Sequence, residues 1–190
     1  MTKMINEKNQ KVLLAIARNS LEMVVRERKV YQIDEKTLDA ELKQDGASFV
    51  TLHQGGQLRG CIGTLVAIQP LFRDVADHAI AAGTQDYRFP PVSAADLPAL
   101  GYEISVLSPA VPLVYNNPAD LLQQIIPGVH GVVLVSGQSR ATFLPQVWNS
   151  IPQKEEFLNQ LCLKMGVPAK AWIKEKFDVL VYEVQEFSDS

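Results

Sequence analysis

The sequence is poor in cysteine, has no long apolar run and carries no excess of positive charge. Only Cys61 and Cys162 occur among its 190 residues, which is too few for a disulfide framework, and their spacing is not that of a metal site. No apolar run approaches the roughly 20 residues that span a bilayer, and the run Val132 to Val135 has the length of a strand. Lysine and arginine number 18 against 21 aspartate and glutamate, a net charge of −3, which argues against a dedicated nucleic-acid binder.

Two further absences concern targeting and nucleotides. The first ten residues, MTKMINEKNQ, lack the apolar core of a signal peptide, and neither a phosphate loop nor a dinucleotide-binding glycine motif occurs. We therefore expect a cytoplasmic, reduced protein that holds no metal and is not attached to a membrane. With 47% hydrophobic and 21% charged residues, the chain has the composition of a soluble globular protein with room for one domain.

The spacing of apolar residues predicts helices and hairpins in separate blocks. Helices are expected over residues 8–29, 37–44, 71–82, 118–126 and 157–165. Hairpins with glycine turns are expected over 47–65 and 131–144, a strand over 102–106, and a final strand over 176–187. Because helices and hairpins segregate instead of alternating singly, the pattern predicts an α+β fold, an antiparallel β-sheet flanked by helices.

The segment around Cys61 is the part of the chain richest in glycine. Five of the 11 glycines fall between residues 46 and 63, and two of these, Gly60 and Gly63, interrupt a strand, where glycine marks a bulge or a close approach by another group. In a regular strand Arg59 and Cys61 share a face, and an arginine beside a thiol favours the thiolate. The pattern fits a nucleophilic or redox-active cysteine, an anion-binding loop, or a small cysteine that fills a tight strand.

Candidate acids and bases lie elsewhere in the chain. His130, within PGVHG, has glycine nearby on both sides, so a ligand could approach it, and it is the preferred base. His53 beside the first turn is expected in solvent, and His78 is expected to pair with Asp74 one helical turn away. Glu103 lies on a strand of apolar neighbours, and if it points inward it could serve as an acid or a base.

Several sequence blocks in this chain resemble the AMMECR family, named for a human chromosomal region linked to Alport syndrome, midface hypoplasia and elliptocytosis. LRGCIGTL, at residues 58–65, is similar to the family signature. Blocks similar to those of the family then occur in family order: GASFVTLH before it, and DYRFPP, ISVLSP, PGVHG, ATFLPQV and EFLNQLCLKMGVPAKAW after it. The stretch VWNSIPQKEEF departs from the family, whose members often carry an acidic, tryptophan-containing stretch there.

The resemblance implies a single domain over residues 1–190, with a larger and a smaller lobe and with the LRGCIG segment near the cleft between them. It implies neither an activity nor a cofactor. Bacterial and archaeal members are grouped with a Memo-like protein and a radical S-adenosylmethionine protein, so the resemblance implies these two as partners. It also implies site residues without assigning their roles, namely Arg59, Gly60, Cys61, Gly63, Asp86, Arg88, His130 and Gln146.

Three functional hypotheses follow, and the first is favoured slightly. In the first, the chain is a small-molecule enzyme in which Cys61 is the nucleophile or redox centre, Arg59 lowers the pKa of Cys61, and His130 or Glu103 serves as an acid or a base. Alternatively it is a binding module for a small anionic ligand or nucleotide, or a module that binds the two partner proteins. The ligand-binding residues expected in the second hypothesis are Arg59, Gly60, Gly63, Asp86, Arg88 and Gln146.

Overall fold

The structure of the protein is a computed structural model that describes residues 4–189. Its helices are α1 (Glu7–Glu27), α2 (Leu71–Thr84), α3 (Pro118–Gln124), α4 (Lys154–Met165) and α5 (Ala171–Lys174). Its strands are β1 (Asp45–Gln54), β2 (Gln57–Gly63), β3 (Gln69–Pro70), β4 (Leu100–Leu107), β5 (Val111–Pro112), β6 (Gly131–Ser136), β7 (Ser139–Phe143), β8 (Asp178–Tyr182) and β9 (Val184–Ser188). Short 3-10 helices occupy Glu35–Thr37, Ala40–Lys43, Leu97–Ala99 and Pro145–Asn149.

The strands form two sheets, and the expected α+β class is confirmed. The first sheet has the order β2-β1-β4-β9, with β3 also paired to β1, and the second has the order β5-β8-β6-β7. The strand pairs around β1 and around β6 and β8 are antiparallel. The chain divides into two compact units, one made of residues up to Leu107 together with those from Gln185, and one made of Ser108–Val184.

In the first unit, α1 and α2 pack on one face of the first sheet. Fully buried leucines of α1, such as Leu13 and Leu21, share a core with Val75 of α2 and with Val50 and Leu52 of β1. Each such side chain contributes roughly 1.5–3 kcal/mol by leaving water. This core fixes which face of the sheet is covered by helices.

The second unit has a core of its own. Leu134 of β6 is buried together with Phe157, Leu158 and Leu161 of α4. The ring of Trp148 stacks on Phe157, with ring centroids 3.6 Å apart and the ring planes at 4°. The second sheet is therefore held against α4 by apolar and aromatic contacts.

Most of the predicted helix ends and caps are confirmed. The helix expected over 8–29 is α1, which ends at Glu27 because Arg28 adopts a left-handed conformation (φ 55°). Asn117 caps α3 as expected, its Oδ1 accepting a hydrogen bond from the Asp120 N–H at 3.0 Å. Gly166 ends α4 with φ 86°. Within the described residues, no helix combines the length and the apolar character needed to cross a membrane.

Two predicted elements are wrong in detail. The helix expected over 37–44 is a pair of 3-10 turns instead, because the chain becomes extended at Leu38 (φ −83°, ψ 140°). The single strand expected over 176–187 is two strands in different sheets, β8 and β9. The break falls at Glu183, whose backbone N–H donates to the Ser108 hydroxyl and whose carbonyl accepts from the Ser108 N–H, both at 2.9 Å.

Candidate functional site

The first sheet has a buried face and a polar face. Along β1, Val50 and Leu52 are buried against the helices, whereas Phe49, Thr51 and His53 alternate with them and are only partly buried. Side chains opposite each other in neighbouring strands share a face, so the register assigns β2 and β4 residues to the same two faces. We call the side of the sheet away from α1 and α2 the polar face; it carries Phe49, Thr51, His53, Cys61, Glu103 and Ser105.

A one-residue bulge in β2 decides which face carries Cys61. Next to the turn the pairing is regular, with Leu58 opposite His53, and it then shifts by one residue so that Cys61 lies opposite Thr51. A shift of one residue moves every later side chain to the other face. Without the bulge, Cys61 would lie opposite Val50 on the buried face.

Cys61, Thr51 and Glu103 form one row across three strands. Thr51 in β1 is opposite both Cys61 in β2 and Glu103 in β4. The hydroxyl of Thr51 donates a hydrogen bond to Sγ of Cys61 over 3.2 Å. Since opposite residues have Cβ atoms about 4.5–5.5 Å apart, the Glu103 side chain leaves β4 directly beside Thr51. The row therefore joins a half-buried thiol, a hydroxyl and a carboxylate.

His53 lies beside this row, and the sequence analysis did not predict that it belongs to the site. It follows Thr51 by two residues on β1, and the pairing of β1 with β4 is unbroken from Ala47 to Gln54, so both side chains are on the polar face. Its Nε2 is 3.7 Å from Oε2 of Glu103, and its side chain is 33% exposed instead of lying in solvent as expected. Thr51 and His53 alternate in the sequence with the apolar residues Val50 and Leu52, and this alternation could have placed both on one face of the strand.

The loop after α2 covers the free edge of β2 at Cys61. Oδ2 of Asp86 accepts a hydrogen bond from the Cys61 backbone N–H at 2.9 Å, and Nη2 of Arg88 donates to the Cys61 carbonyl at 3.2 Å. Asp86 and Arg88 are joined by three further hydrogen bonds: Nε to Oδ1 at 2.9 Å, Nη2 to Oδ2 at 2.6 Å, and the Arg88 backbone N–H to Oδ1 at 3.2 Å. A charged pair thus takes the place of a neighbouring strand.

Electrostatics keep this pair ionised. The hydrogen-bonded Arg88 guanidinium is the main cause that holds the pKa of Asp86 far below its usual range, and the Cys61 N–H adds to it. The hydrogen bond from Arg88 to Asp86 in turn raises the pKa of the guanidinium. The Asp86 side chain is only 2% exposed, whereas Arg88 is 45% exposed. The guanidinium is therefore the solvent-accessible part of the pair.

Arg59 is directed at a different partner. Its Nη2 lies 3.8 Å from Oδ2 of Asp96, and its side chain is 12% exposed. Asp96 also accepts hydrogen bonds from the backbone N–H and the hydroxyl of Ser93, which together with the charge of Arg59 lower the pKa of Asp96. The strict alternation that would place Arg59 and Cys61 on one face does not hold across the bulge.

Gly60 and Gly63 are both explained by packing. A Cβ on Gly60 would clash with the backbone carbonyl of Ala82 near the end of α2. A Cβ on Gly63 would clash with the ring of Phe49 and with the carbonyl of Ser48 in β1. The close approach inferred from the sequence is therefore made by the protein itself; a ligand role for these glycines stays a prediction.

His130 and Gln146 lie in the second unit, whereas Cys61 and Glu103 lie in the first. Nδ1 of His130 accepts a hydrogen bond from the Ile126 N–H at 3.2 Å, and burial lowers the pKa of the ring. A neutral imidazole that accepts at Nδ1 carries its proton on Nε2, so His130 offers a donor there. Gln146 is partly buried in the 3-10 helix Pro145–Asn149.

The second cysteine contrasts with the first. Cys162 is fully buried in α4, and burial raises the pKa of its thiol, as expected for a core residue. Among residues 4–189, no three histidine, cysteine, aspartate or glutamate side chains form a cluster that could hold a metal ion.

Comparison with known proteins agrees with this architecture over nearly the whole chain. The family model AMMECR1 matches residues 14–187. The chain is 34% identical to Protein NEQ441 of Nanoarchaeum equitans, over 93% of this chain and 98% of that protein, and 38% identical to a Thermotoga maritima protein, over 78% and 82%. It is also similar to the crystal structure of the uncharacterized protein PH0010 from Pyrococcus horikoshii, with a TM-score of 0.83, 30% identity and coverage of 98% and 94%.

Proposed function

The chain belongs to the AMMECR1 family, and we propose that the polar face of its first sheet is a small-molecule site at which Cys61 is the nucleophile. The observation that carries the proposal is the hydrogen bond from the Thr51 hydroxyl to Sγ of Cys61, in a row that continues to Glu103. A hydrogen bond donated to sulfur favours the thiolate over the thiol, and the thiolate is the reactive form.

The reaction class that this arrangement fits is acyl transfer. The thiol proton passes through one water molecule to the His53 imidazole, whose Nε2 lies 3.7 Å from Oε2 of Glu103. The thiolate then attacks the carbonyl carbon of an acyl substrate, the bond to the leaving group breaks, and the leaving atom takes the proton from His53. Water next gives a proton to His53 and its oxygen attacks the thioester carbon, which releases a carboxylic acid and the thiolate.

This proposal changes one role from the sequence analysis and keeps another. His53 replaces His130 as the base, because Nδ1 of His130 already accepts a hydrogen bond from the backbone of its own unit. Glu103 keeps its acid–base role as the partner of His53. The anionic ligand, the Memo-like and radical S-adenosylmethionine partners, and the cytoplasmic location stay predictions.

The proposal is tested by acylation with p-nitrophenyl acetate. We expect a stoichiometric burst of p-nitrophenol and a mass increase on the peptide that contains Cys61. In Thr51→Val the burst rate falls by about tenfold, since a charge-assisted hydrogen bond is worth roughly 1.5–3 kcal/mol. Glu103→Gln slows release of the acetyl group because it leaves His53 without its carboxylate.

Two controls separate this chemistry from general thiol reactivity. Cys162→Ala keeps the burst, because Cys162 is buried. Thr37→Val also keeps it; the Thr37 hydroxyl is exposed and bonds to the Asp34 carbonyl. A burst that survives Cys61→Ala, or that is unchanged in both Thr51→Val and Glu103→Gln, refutes the proposed role of the row.

A further inference from the structure

The peptide of Cys61 is held from outside the sheet. β2 is an edge strand, and the N–H and C=O of Cys61 bond to the side chains of Asp86 and Arg88 instead of to another strand. These two side chains are also bonded to each other. The pair therefore holds one residue at two points of its backbone, and that residue carries the thiol on the polar face.

We infer that Asp86 and Arg88 are positioning residues for Cys61, which fix its backbone and balance opposite charges beside its sulfur. The inference rests on the proposed function, in which Cys61 is the reactive group. It adds that Asp86 and Arg88 control the reactivity of this thiol. It also gives Asp86 and Arg88 a different task from the ligand binding predicted from the sequence.

The charges of the clamp act on the sulfur in opposite directions. The Arg88 guanidinium favours a thiolate nearby, and the Asp86 carboxylate disfavours it. Arg88 lies next to the cysteine, because its Nη2 donates a hydrogen bond to the Cys61 carbonyl over 3.2 Å. Removing the Asp86 charge should therefore make the thiol more reactive at a given pH, and removing the Arg88 charge should make it less reactive.

Other groups near Cys61 stay constant in such a comparison. On the polar face these are His53 and Glu103, beside β2 they are the Arg59–Asp96 pair, and next to Arg88 in its loop is the exposed Tyr87. From α2, on the other side of the sheet, Asp74 accepts a hydrogen bond from the Ser48 N–H, and His78 lies beside Asp74. Because these groups are unchanged in every variant, a difference between variants is assigned to the clamp.

The test is the pH profile of iodoacetamide alkylation at Cys61 in a Cys162→Ala background. We expect Asp86→Asn to move the pH of half-maximal rate down by about one pH unit and Arg88→Gln to move it up by about as much. The double variant Asp86→Asn/Arg88→Gln should return near the parent value. Arg88→Lys, which keeps the charge and loses the planar fork, should stay nearer to the parent than Arg88→Gln.

A merely structural clamp gives a different result. Loss of packing alone would shift both single variants in the same direction, or shift neither, and either result overturns the inference. If Asp86→Asn does not fold, as judged by circular dichroism, the comparison of Arg88→Gln with Arg88→Lys decides, and equal profiles overturn the inference. If Cys61 of the parent is acylated by p-nitrophenyl acetate while the profiles do not move, the clamp inference fails and the proposed function stands; absence of that acylation removes the proposed function itself.

Discussion

Gly60 lies where the end of α2 comes closest to β2, and only a residue without a side chain fits there. The backbone carbonyl of Ala82 occupies the space that a Cβ on Gly60 would need. A backbone atom cannot rotate away as a flexible side chain can, so relief requires a shift of the helix or the strand. This contact links the glycine in LRGCIG to the packing of the first unit.

We expect Gly60→Ala to lower the free energy of unfolding by about 1–3 kcal/mol, the usual range for overpacking. Urea unfolding followed by circular dichroism measures the change. Gly137→Asn is the matched control, because Gly137 has a left-handed φ of 57°, has no atom within 4 Å of an added Cβ, and lies in a turn where asparagine is tolerated. Equal losses in the two variants would show that Gly60 has no special packing role.

At the scale of elements, the bulge in β2 has a consequence for Cys61. The bulge accommodates one extra residue between Leu58 and Gly60, so that Arg59 has no partner of its own in β1. Deleting Arg59 would give an unbroken pairing in which the cysteine still faces Thr51. The bulge therefore accommodates one extra residue in β2 and keeps Cys61 on the polar face.

This register predicts that a variant lacking Arg59 folds and keeps an alkylatable cysteine at the position of Cys61. Peptide mass spectrometry after iodoacetamide treatment measures alkylation, with Arg59→Ala as the control that keeps the chain length. If Cys61 lay opposite Thr51 without any bulge in β2, the same deletion would move the cysteine opposite Leu52 on the buried face and protect it from alkylation. Protection of this cysteine in the folded deletion variant therefore contradicts the bulge.

The elements differ in how far the sequence could predict them. The first hairpin and α3 are encoded locally, by the glycines at 55 and 56 with φ of 58° and 75°, and by the cap at Asn117. The bulge is not, because a register shift is a property of the pairing between two strands and not of either strand's own residues. The same limit explains why the site was predicted only in part: Cys61 and Glu103 follow from the chain, whereas their meeting through Thr51 depends on pairing.

At the scale of the whole molecule, the two compact units have separate hydrophobic cores. Leu52 is fully buried in the core of the first unit and Leu158 in that of the second. Both tryptophans of the chain, Trp148 and Trp172, belong to the second core. Tryptophan fluorescence therefore reports on the second unit, while the long helices α1 and α2 of the first unit contribute strongly to circular dichroism.

Because the cores are separate, we expect a cavity in one core to lower mainly the urea midpoint reported by the spectroscopic probe of that unit. Leu158→Ala should lower the urea midpoint seen by tryptophan fluorescence, and Leu52→Ala should lower chiefly the midpoint seen by circular dichroism. Each removes a fully buried side chain, so the expected loss is about 2–5 kcal/mol in the affected unit. If both variants shift both probes equally, the two cores unfold as one cooperative unit, and a ligand bound at the polar face would then stabilise the second unit as much as the first.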